Sequence, residues 1–183
     1  MGTLTLLILM AISFIAASAN VAASSGNLTV TPPTTETDDI MLLAVSSHDN
    51  VAISLPAGWT IYQQANNGTA LRATLAWKRA VGAEGAFTIT HTAGDGIVAN
   101  VAVYRGCTLG SDVINASVLT ANASSSTCTA ASITTTFDDC MLVFTMHDSD
   151  NGASSAQSSA GLGSMSARER FDNASTLGLD EAV

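Results

Sequence analysis

Strict alternation of apolar and polar side chains is the feature that most limits the folds open to this chain. Within residues 71–78 the apolar members are Leu71, Ala73, Leu75 and Trp77, and their neighbours are Arg72, Thr74, Ala76 and Lys78. A period of two places successive side chains on opposite faces of a β-strand. We therefore predict a strand whose Leu71–Trp77 face is buried and whose other face is in water. Residues 87–92 alternate in the same way.

Turn signals separate these strands from further short apolar runs. Pro56-Ala57-Gly58, Asn66-Asn67-Gly68 and Gly94-Asp95-Gly96 are typical of tight turns, and Asn-Gly favours a hairpin because both residues tolerate positive φ. Residues 97–104 and 140–146 are short, mainly apolar runs, as in strands buried on both faces. The sequence predicts an all-β fold, a two-sheet antiparallel β-sandwich of jelly-roll-like type.

An internal repeat suggests how the sandwich is divided. Residues 34–43 (TTETDDIMLL) recur as residues 134–143 (TTTFDDCMLV), with six of the ten positions identical. The period of 100 residues is too long for a solenoid. We expect a single domain over residues 1–183 with two quasi-equivalent halves, about 11–100 and 101–183.

The N-terminal stretch allows three interpretations. Residues 4–17 are almost continuously apolar, and Ala17-Ser18-Ala19 fits a signal-peptidase site, although no Lys or Arg precedes the apolar run. A membrane or assembly helix is the second interpretation. The third is a strand over residues 3–17 that completes a sheet in its own chain or in a neighbour, because the second half of the repeat ends without a closing strand. The side chains predicted to make this assembly contact are Leu4, Leu6, Ile8, Met10, Ile12 and Phe14.

Charge excludes several partner classes. The chain has six Lys and Arg against fifteen Asp and Glu, a net charge of -9, and only 11% charged residues. Nucleic acids and anionic membranes attract clustered cations, so neither is expected as a partner. A mean hydropathy of +0.34 instead indicates apolar surface that is hidden between subunits. We expect a homo-oligomer, for example a trimer.

The sequence contains no recognised catalytic or cofactor-binding motif. The sequence lacks the G-x-S-x-G, P-loop and G-x-G-x-x-G motifs, and its three histidines are far apart, so we predict no catalytic residue, metal site or cofactor. The paired carboxylates Asp38-Asp39 are interpreted as turn residues that bind backbone amides. The oxidation state of Cys107, Cys128 and Cys140 stays open, with buried free thiols and a Cys107–Cys128 bridge as the alternatives.

Trp59 is the single candidate ligand-binding residue. It follows the Pro-Ala-Gly turn, and an exposed Trp on such a loop stacks on sugar rings in carbohydrate-binding modules. The competing interpretation is a core side chain that fills the end of the sandwich. Trp77, on the apolar face of its strand, is predicted to be core.

Several segments together resemble a known family. They are Leu55-Pro56-Ala57-Gly58-Trp59-Thr60, Trp77-Lys78-Arg79-Ala80, Gly85-Ala86-Phe87-Thr88-Ile89 and Val103-Tyr104-Arg105-Gly106. In this order, over about residues 11–150, the chain resembles the β-sandwich modules of phage virion structural proteins and of some bacterial secreted proteins. The resemblance implies a structural or binding module without catalytic residues.

We therefore expect a structural protein of a phage or virus particle, a capsid decoration (cement) or tail-associated subunit on the particle surface. Its partners would be its own copies and virion proteins such as the major capsid protein. The alternative is a secreted or cell-surface module, extracellular, that binds carbohydrate or mediates adhesion.

Overall fold

The computed structural model describes residues 11–92, 96–120 and 129–148, and the backbone alone of residues 158–159, 163–164, 167–173 and 177–182. These ranges contain fourteen β-strands and no helix. The strands are β1 (Ser13–Ala17), β2 (Val21–Ala23), β3 (Leu28–Val30), β4 (Ile40–His48), β5 (Ile53–Ser54), β6 (Thr60–Asn67), β7 (Leu71–Arg79), β8 (Phe87–His91), β9 (Ile97–Arg105), β10 (Phe144–Asp148), β11 (Ser158–Ser159), β12 (Gly163–Ser164), β13 (Ala167–Asn173) and β14 (Leu177–Ala182).

One large antiparallel sheet organises the molecule. Its strand order is β1-β9-β4-β7-β6, and β2 also pairs with β9. β4 pairs along its whole length with β7 and over eight residues with β9, from Ile40 opposite both Arg79 and Tyr104. All eight residues of the apolar run 97–104 are buried, as predicted, because β9 lies inside the sheet and is covered on both faces.

A smaller sheet, β3-β8-β5, packs against one face of this central sheet. Every second residue of β4 and β9 points into the interface, which is why the two strands contribute most of the core. The buried side chains of this main core are Leu28, Val30, Met41, Leu43, Val45, Ile53, Ala76, Ile89, Ile97, Ala99, Val101 and Val103. Each large member stabilises the fold by about 1.5–3 kcal/mol through loss of its apolar surface from water. The predicted all-β antiparallel sandwich is confirmed.

The predicted faces of β7 are reversed. Ala76 lies opposite Leu43 and Thr74 opposite Val45, so the smaller side chains face the main core and are 0% and 1% exposed. Leu71 instead belongs to a second buried cluster on the other face of the sheet. Trp77, expected in the core, is half-buried on that second face. The alternation identified the strand correctly, but the register with β4 decides which face meets the main core.

The second face of the central sheet meets another antiparallel sheet, β10-β14-β13, through contacts of β14 with β4 and β9 and of β10 with β4. The Oγ atom of Ser46, which is fully buried on β4, lies 2.8 Å from Nδ1 of His147 on β10. Both faces of the central sheet are therefore covered. This arrangement explains why residues 97–104 of β9 are buried on both faces of the sheet.

The two copies of the repeat differ in structure. In the first, residues 40–43 begin β4, whereas in the second, residues 140–143 precede β10, which starts at Phe144. The described residues between Gly106 and Val143 form no strand. The division of the chain into related halves stays a prediction.

The hairpin predicted at Asn66-Asn67-Gly68 is confirmed. β6 and β7 are joined through Gly68, whose φ is +57°, and the Ala70 amide donates to the Asn67 carbonyl at 3.1 Å. Gly94 and Asp95 of the third turn signal lie outside the described residues.

Of the strand predicted over residues 3–17, the described part contains β1, Ser13–Ala17. β1 pairs with β9 of its own chain, and the ring of Phe14 meets that of Tyr104 edge to face at 5.8 Å between centroids. Ile12 lies just before β1. The other predicted assembly residues, Leu4, Leu6, Ile8 and Met10, lie outside the described residues.

Candidate functional site

A surface cavity of about 210 Å³ lies at the end of the main core next to the Pro56-Ala57-Gly58 turn. Pro56 and Ala57 of the turn and Gly85 and Ala86 of the β7–β8 loop are exposed, so the cavity opens to solvent. Its complete lining is Pro32, Met41, Pro56, Ala57, Trp59, Lys78, Glu84, Gly85, Ala86 and Phe87. We call this feature the Trp59 cavity.

The turn fixes one wall of the cavity. Gly58 has a φ of +92°, a conformation that favours glycine, and a Cβ on it would lie 3.3 Å from Cε of Lys78. The aliphatic stem of Lys78 therefore lies across the turn, and the chain enters β6 directly after Trp59. Glycine at this position lets the turn and the lysine stem approach closely.

Trp59 has features of both predicted alternatives, a core residue and an exposed ligand-stacking residue. The side chain is half-buried and packs against the main core, as a core residue would. Its ring also lines the cavity and lies 4.8 Å from the ring of Phe87, at an interplanar angle of 44°. The two rings form a tilted aromatic wall that is anchored in the core on one side and open to the cavity on the other.

A lysine–glutamate ion pair stands beside the aromatic wall. Nζ of Lys78 lies 2.6 Å from Oε2 of Glu84, and their side chains are 21% and 12% exposed. The Val81 amide donates to Oε1 of Glu84 at 3.1 Å, and the Glu84 amide donates to Oγ1 of Thr35 at 2.9 Å. Burial raises the pKa of Glu84, but the hydrogen bonds from Lys78 and from the Val81 amide outweigh it, so the pKa lies below its usual value. The carboxylate is charged and held in place at neutral pH.

Sequence reasoning missed three members of this site: Lys78, Glu84 and Phe87. The alternation of residues 71–78, taken without the pairing of β7 with β4, predicts that Lys78 faces solvent. Its register opposite Met41 places it on the core side of the sheet, at the strand end where the cavity lies. A correct pairing of β7 with β4 is the signal that would have brought Lys78 next to Trp59.

A second feature lies at the opposite edge of the central sheet from β1. β6 ends the sheet, and no strand pairs with its outer side among the described residues. The hydroxyl of Ser117 donates to Oη of Tyr62 at 3.2 Å, which brings the segment around residue 117 against this strand. Four exposed apolar or aromatic side chains lie on this strand and on the two residues that follow Ser117, and we call them the edge patch: Ile61, Tyr62, Val118 and Leu119, 37–43% exposed.

The paired carboxylates are structural, as predicted for Asp38-Asp39. Asp39 is 1% exposed, and its carboxylate accepts from Nε and Nη2 of Arg105 at 2.7 and 2.8 Å and from the Glu36 amide at 2.8 Å. The hydrogen bond from Arg105 is the main reason why the pKa of Asp39 lies below its ordinary value. Asp38, at a φ of +71°, makes the turn into β4.

Other site chemistry is sparse in the part of the chain that the structure describes. No group of three His, Cys, Asp or Glu residues there is placed to bind a metal ion, and none of the described residues forms a helix that could span a membrane. Cys107 and Cys140 are free thiols, but Cys140 is exposed rather than buried. Cys128 lies outside the described residues.

Comparisons of the chain with protein-family models, with curated proteins and with solved structures found no match. The resemblance to phage β-sandwich modules therefore stays a prediction.

Proposed function

We propose that the protein is a structural subunit of a phage or virus particle, a capsid decoration or tail-associated protein held in place by contacts with its own copies and with other virion proteins. The observation that supports this proposal is the edge patch. It combines an unpaired strand with exposed apolar side chains, and each of these features favours association.

The outer side of β6 presents backbone groups without a partner strand among the described residues. Such an edge is a template for pairing with another chain unless charge, proline or a covering segment blocks it. β6 carries no charged residue and no proline, since its sequence is TIYQQANN. The segment around Ser117 contacts β6 through the side chain of Tyr62 rather than through the backbone groups of the edge. Antiparallel pairing of β6 with β6 of a second copy would satisfy the same groups on both chains around a two-fold axis.

The side chains of the edge patch add an apolar contribution to this contact. Leu119 is 43% exposed and Tyr62 37% exposed, and burial against a partner removes that surface from water. β6 itself has no charged residue that would repel its counterpart in a second copy. A subunit that assembles in this way suits a particle layer made of many identical copies.

We also propose a second contact between copies, made by the N-terminal stretch. β1 occupies the other edge of the central sheet in cis. The assembly role of Leu4, Leu6, Ile8 and Met10, which precede β1, is a proposal.

The oligomeric mass of the full chain tests the interface. Wild type is expected to sediment as a homo-oligomer, and Leu119→Lys is expected to shift the mass towards the monomer because a charge is placed in the contact. Leu109→Lys is the matched control, since Leu109 is 73% exposed in the same strandless segment but outside the edge patch. A wild-type monomer at high concentration, or equal effects of the two variants, would contradict the proposed interface.

The particle assignment has its own test. Quantitative mass spectrometry of purified particles from the source should find the protein in many copies per particle. Expression of the protein without its incorporation into any particle would refute the assignment and leave the interface result standing.

A further inference from the structure

We propose that the Trp59 cavity binds a single pyranose ring of a neutral carbohydrate. The inference goes beyond the particle subunit proposed above and depends on different residues. It rests on the size of the cavity, on its aromatic wall and on the ion pair at its side.

The volume of the cavity limits the ligand to one ring. Sites for drug-sized ligands measure about 300–1,000 Å³. At about 210 Å³ the Trp59 cavity is smaller, too small for a nucleotide or a whole disaccharide. It matches a single six-membered ring, and its opening to solvent leaves space for the rest of a chain outside.

The walls of the cavity suit the apolar face of a sugar. The face of an aromatic ring carries partial negative charge and attracts C–H groups that carry partial positive charge. Trp59 and Phe87 both line the cavity, and their rings pack against each other at 4.8 Å and an interplanar angle of 44°. Pro32 and Pro56 complete the apolar lining without adding hydrogen-bonding side chains.

The ion pair selects hydroxyl groups over charged ligands. Lys78 has three N–H donors and uses one on Glu84, while both carboxylate oxygens of Glu84 keep acceptor capacity. Donors and acceptors therefore stand side by side, and a hydroxyl group both donates and accepts. The pair carries no net charge, so it attracts neither an anion nor a cation as a single charged side chain would, and the net charge of -9 further disfavours an anion.

The polar groups are held before a ligand arrives. Glu84 is tied to the Val81 amide, and its own amide is tied to Thr35, whose hydroxyl donates to the Gly82 carbonyl at 2.7 Å. Preorganised groups lose little entropy on binding. A proline or aromatic side chain of a peptide would fill the apolar part but leave the free positions on Lys78 and Glu84 without partners, so a sugar fits the cavity better.

Tryptophan fluorescence provides a direct assay, because the chain has two tryptophans on opposite faces of the central sheet. In Trp77→Phe the remaining fluorophore, Trp59, reports on the cavity. Titration with the methyl glycosides of glucose, galactose, mannose and N-acetylglucosamine should give a saturable change in the millimolar range with at least one of them. Circular dichroism confirms that each variant is folded.

Substitutions then locate the binding groups. Glu84→Gln should weaken binding about tenfold, because a charge-assisted hydrogen bond to a hydroxyl is lost. Glu36→Gln is the matched control, since Glu36 is also ion-paired, with Arg105, but is 68% exposed and lies outside the cavity. Trp59→Phe keeps an aromatic side chain against the core, and ligand-observed NMR should show weaker binding to it.

Saturable binding that Glu84→Gln weakens and Glu36→Gln leaves unchanged supports the proposal. Three results would overturn it: no saturable signal with any glycoside, equal effects of the two glutamate variants, or a response to proline-rich peptides alone.

Discussion

Replacement of Asn100 by valine is expected to stabilise the protein. Asn100 lies in the middle of β9, opposite Ala44, and is 0% exposed. Neither Oδ1 nor Nδ2 of its side chain has a hydrogen-bond partner among the described residues. Its neighbours two residues away on the same face, Val98 and Ala102, are also buried.

The magnitude follows from the lack of a partner for this amide among the described residues. Burial of an amide without partners costs about 1–3 kcal/mol in proteins. Valine removes that cost and favours strand geometry, whereas its extra volume opposes the gain in a site lined by small residues. We expect a net increase of about 1–2 kcal/mol in the free energy of unfolding, which for a chain of this size is a rise of about 2–8 °C in Tm.

Urea unfolding followed by circular dichroism measures the change. Ser47→Ala is the control: Ser47 is 1% exposed, but its hydroxyl donates to the Val51 carbonyl at 2.8 Å, so its loss should destabilise by about 1 kcal/mol. A loss of stability in Asn100→Val with no loss in Asn100→Ala would indicate overpacking alone. A loss in both variants would refute the reasoning, since it would mean that the amide is satisfied.

Two further predictions concern the turn at the cavity and the response to acid. Gly58→Ala should lower the free energy of unfolding by about 1–2 kcal/mol because of the positive φ, and its Cβ should displace the Lys78 stem. Gly68 has open space around it, so Gly68→Ala should show the backbone cost alone in the same unfolding assay. Burial lowers the pKa of His147 to about 4, so only the unfolded chain takes up this proton between pH 6.5 and 4, and stability should fall across that range as pH is lowered. His147→Gln should flatten that slope in urea unfolding at a series of pH values, while the loss at lower pH, through the depressed pKa of Asp39, should remain; an unchanged slope would contradict the assignment.

The sequence predicted β9 correctly, whereas the second apolar run, 140–146, is wrong as a strand buried on both faces: the strand begins only at Phe144, Cys140 is exposed, and residues 141–146 are half-buried. The apolar run 97–104 can satisfy its backbone and hide its side chains only inside a sheet, and it became β9. The faces of β7 were less accessible to sequence reasoning, because both faces of the central sheet are covered. Alternation separates two faces, but only the register Ala76 opposite Leu43 shows which one meets the main core.

The repeat shows the same limit. Its Asp-Asp-x-Met-Leu segment leads into a strand in both copies. In the first copy the strand begins within the segment, at Ile40, whereas in the second it begins after the segment, at Phe144. In the first copy Asp39 is fixed by Arg105, which lies 66 residues away along the chain. An ion pair of that separation depends on the pairing of β4 with β9, and a ten-residue motif does not encode its partner.

Trp59 could be singled out from its turn, but the cavity around it could not. Lys78 comes from β7 and Glu84 from the following loop, and the two approach Trp59 only after β6, β7 and β8 have taken their places. The site is a product of tertiary structure.

The two proposals can fail independently, although Trp59 directly precedes the strand that carries the edge patch. The polar groups of the cavity belong to β7 and the β7–β8 loop, and neither lies on the outer side of β6. Charge placed at Leu119 therefore acts on contacts between copies, and loss of charge at Glu84 acts on a ligand inside one chain. If Leu119→Lys also abolished glycoside binding in a folded monomer, the cavity would have to be shaped by a second copy, and the two features would be one site.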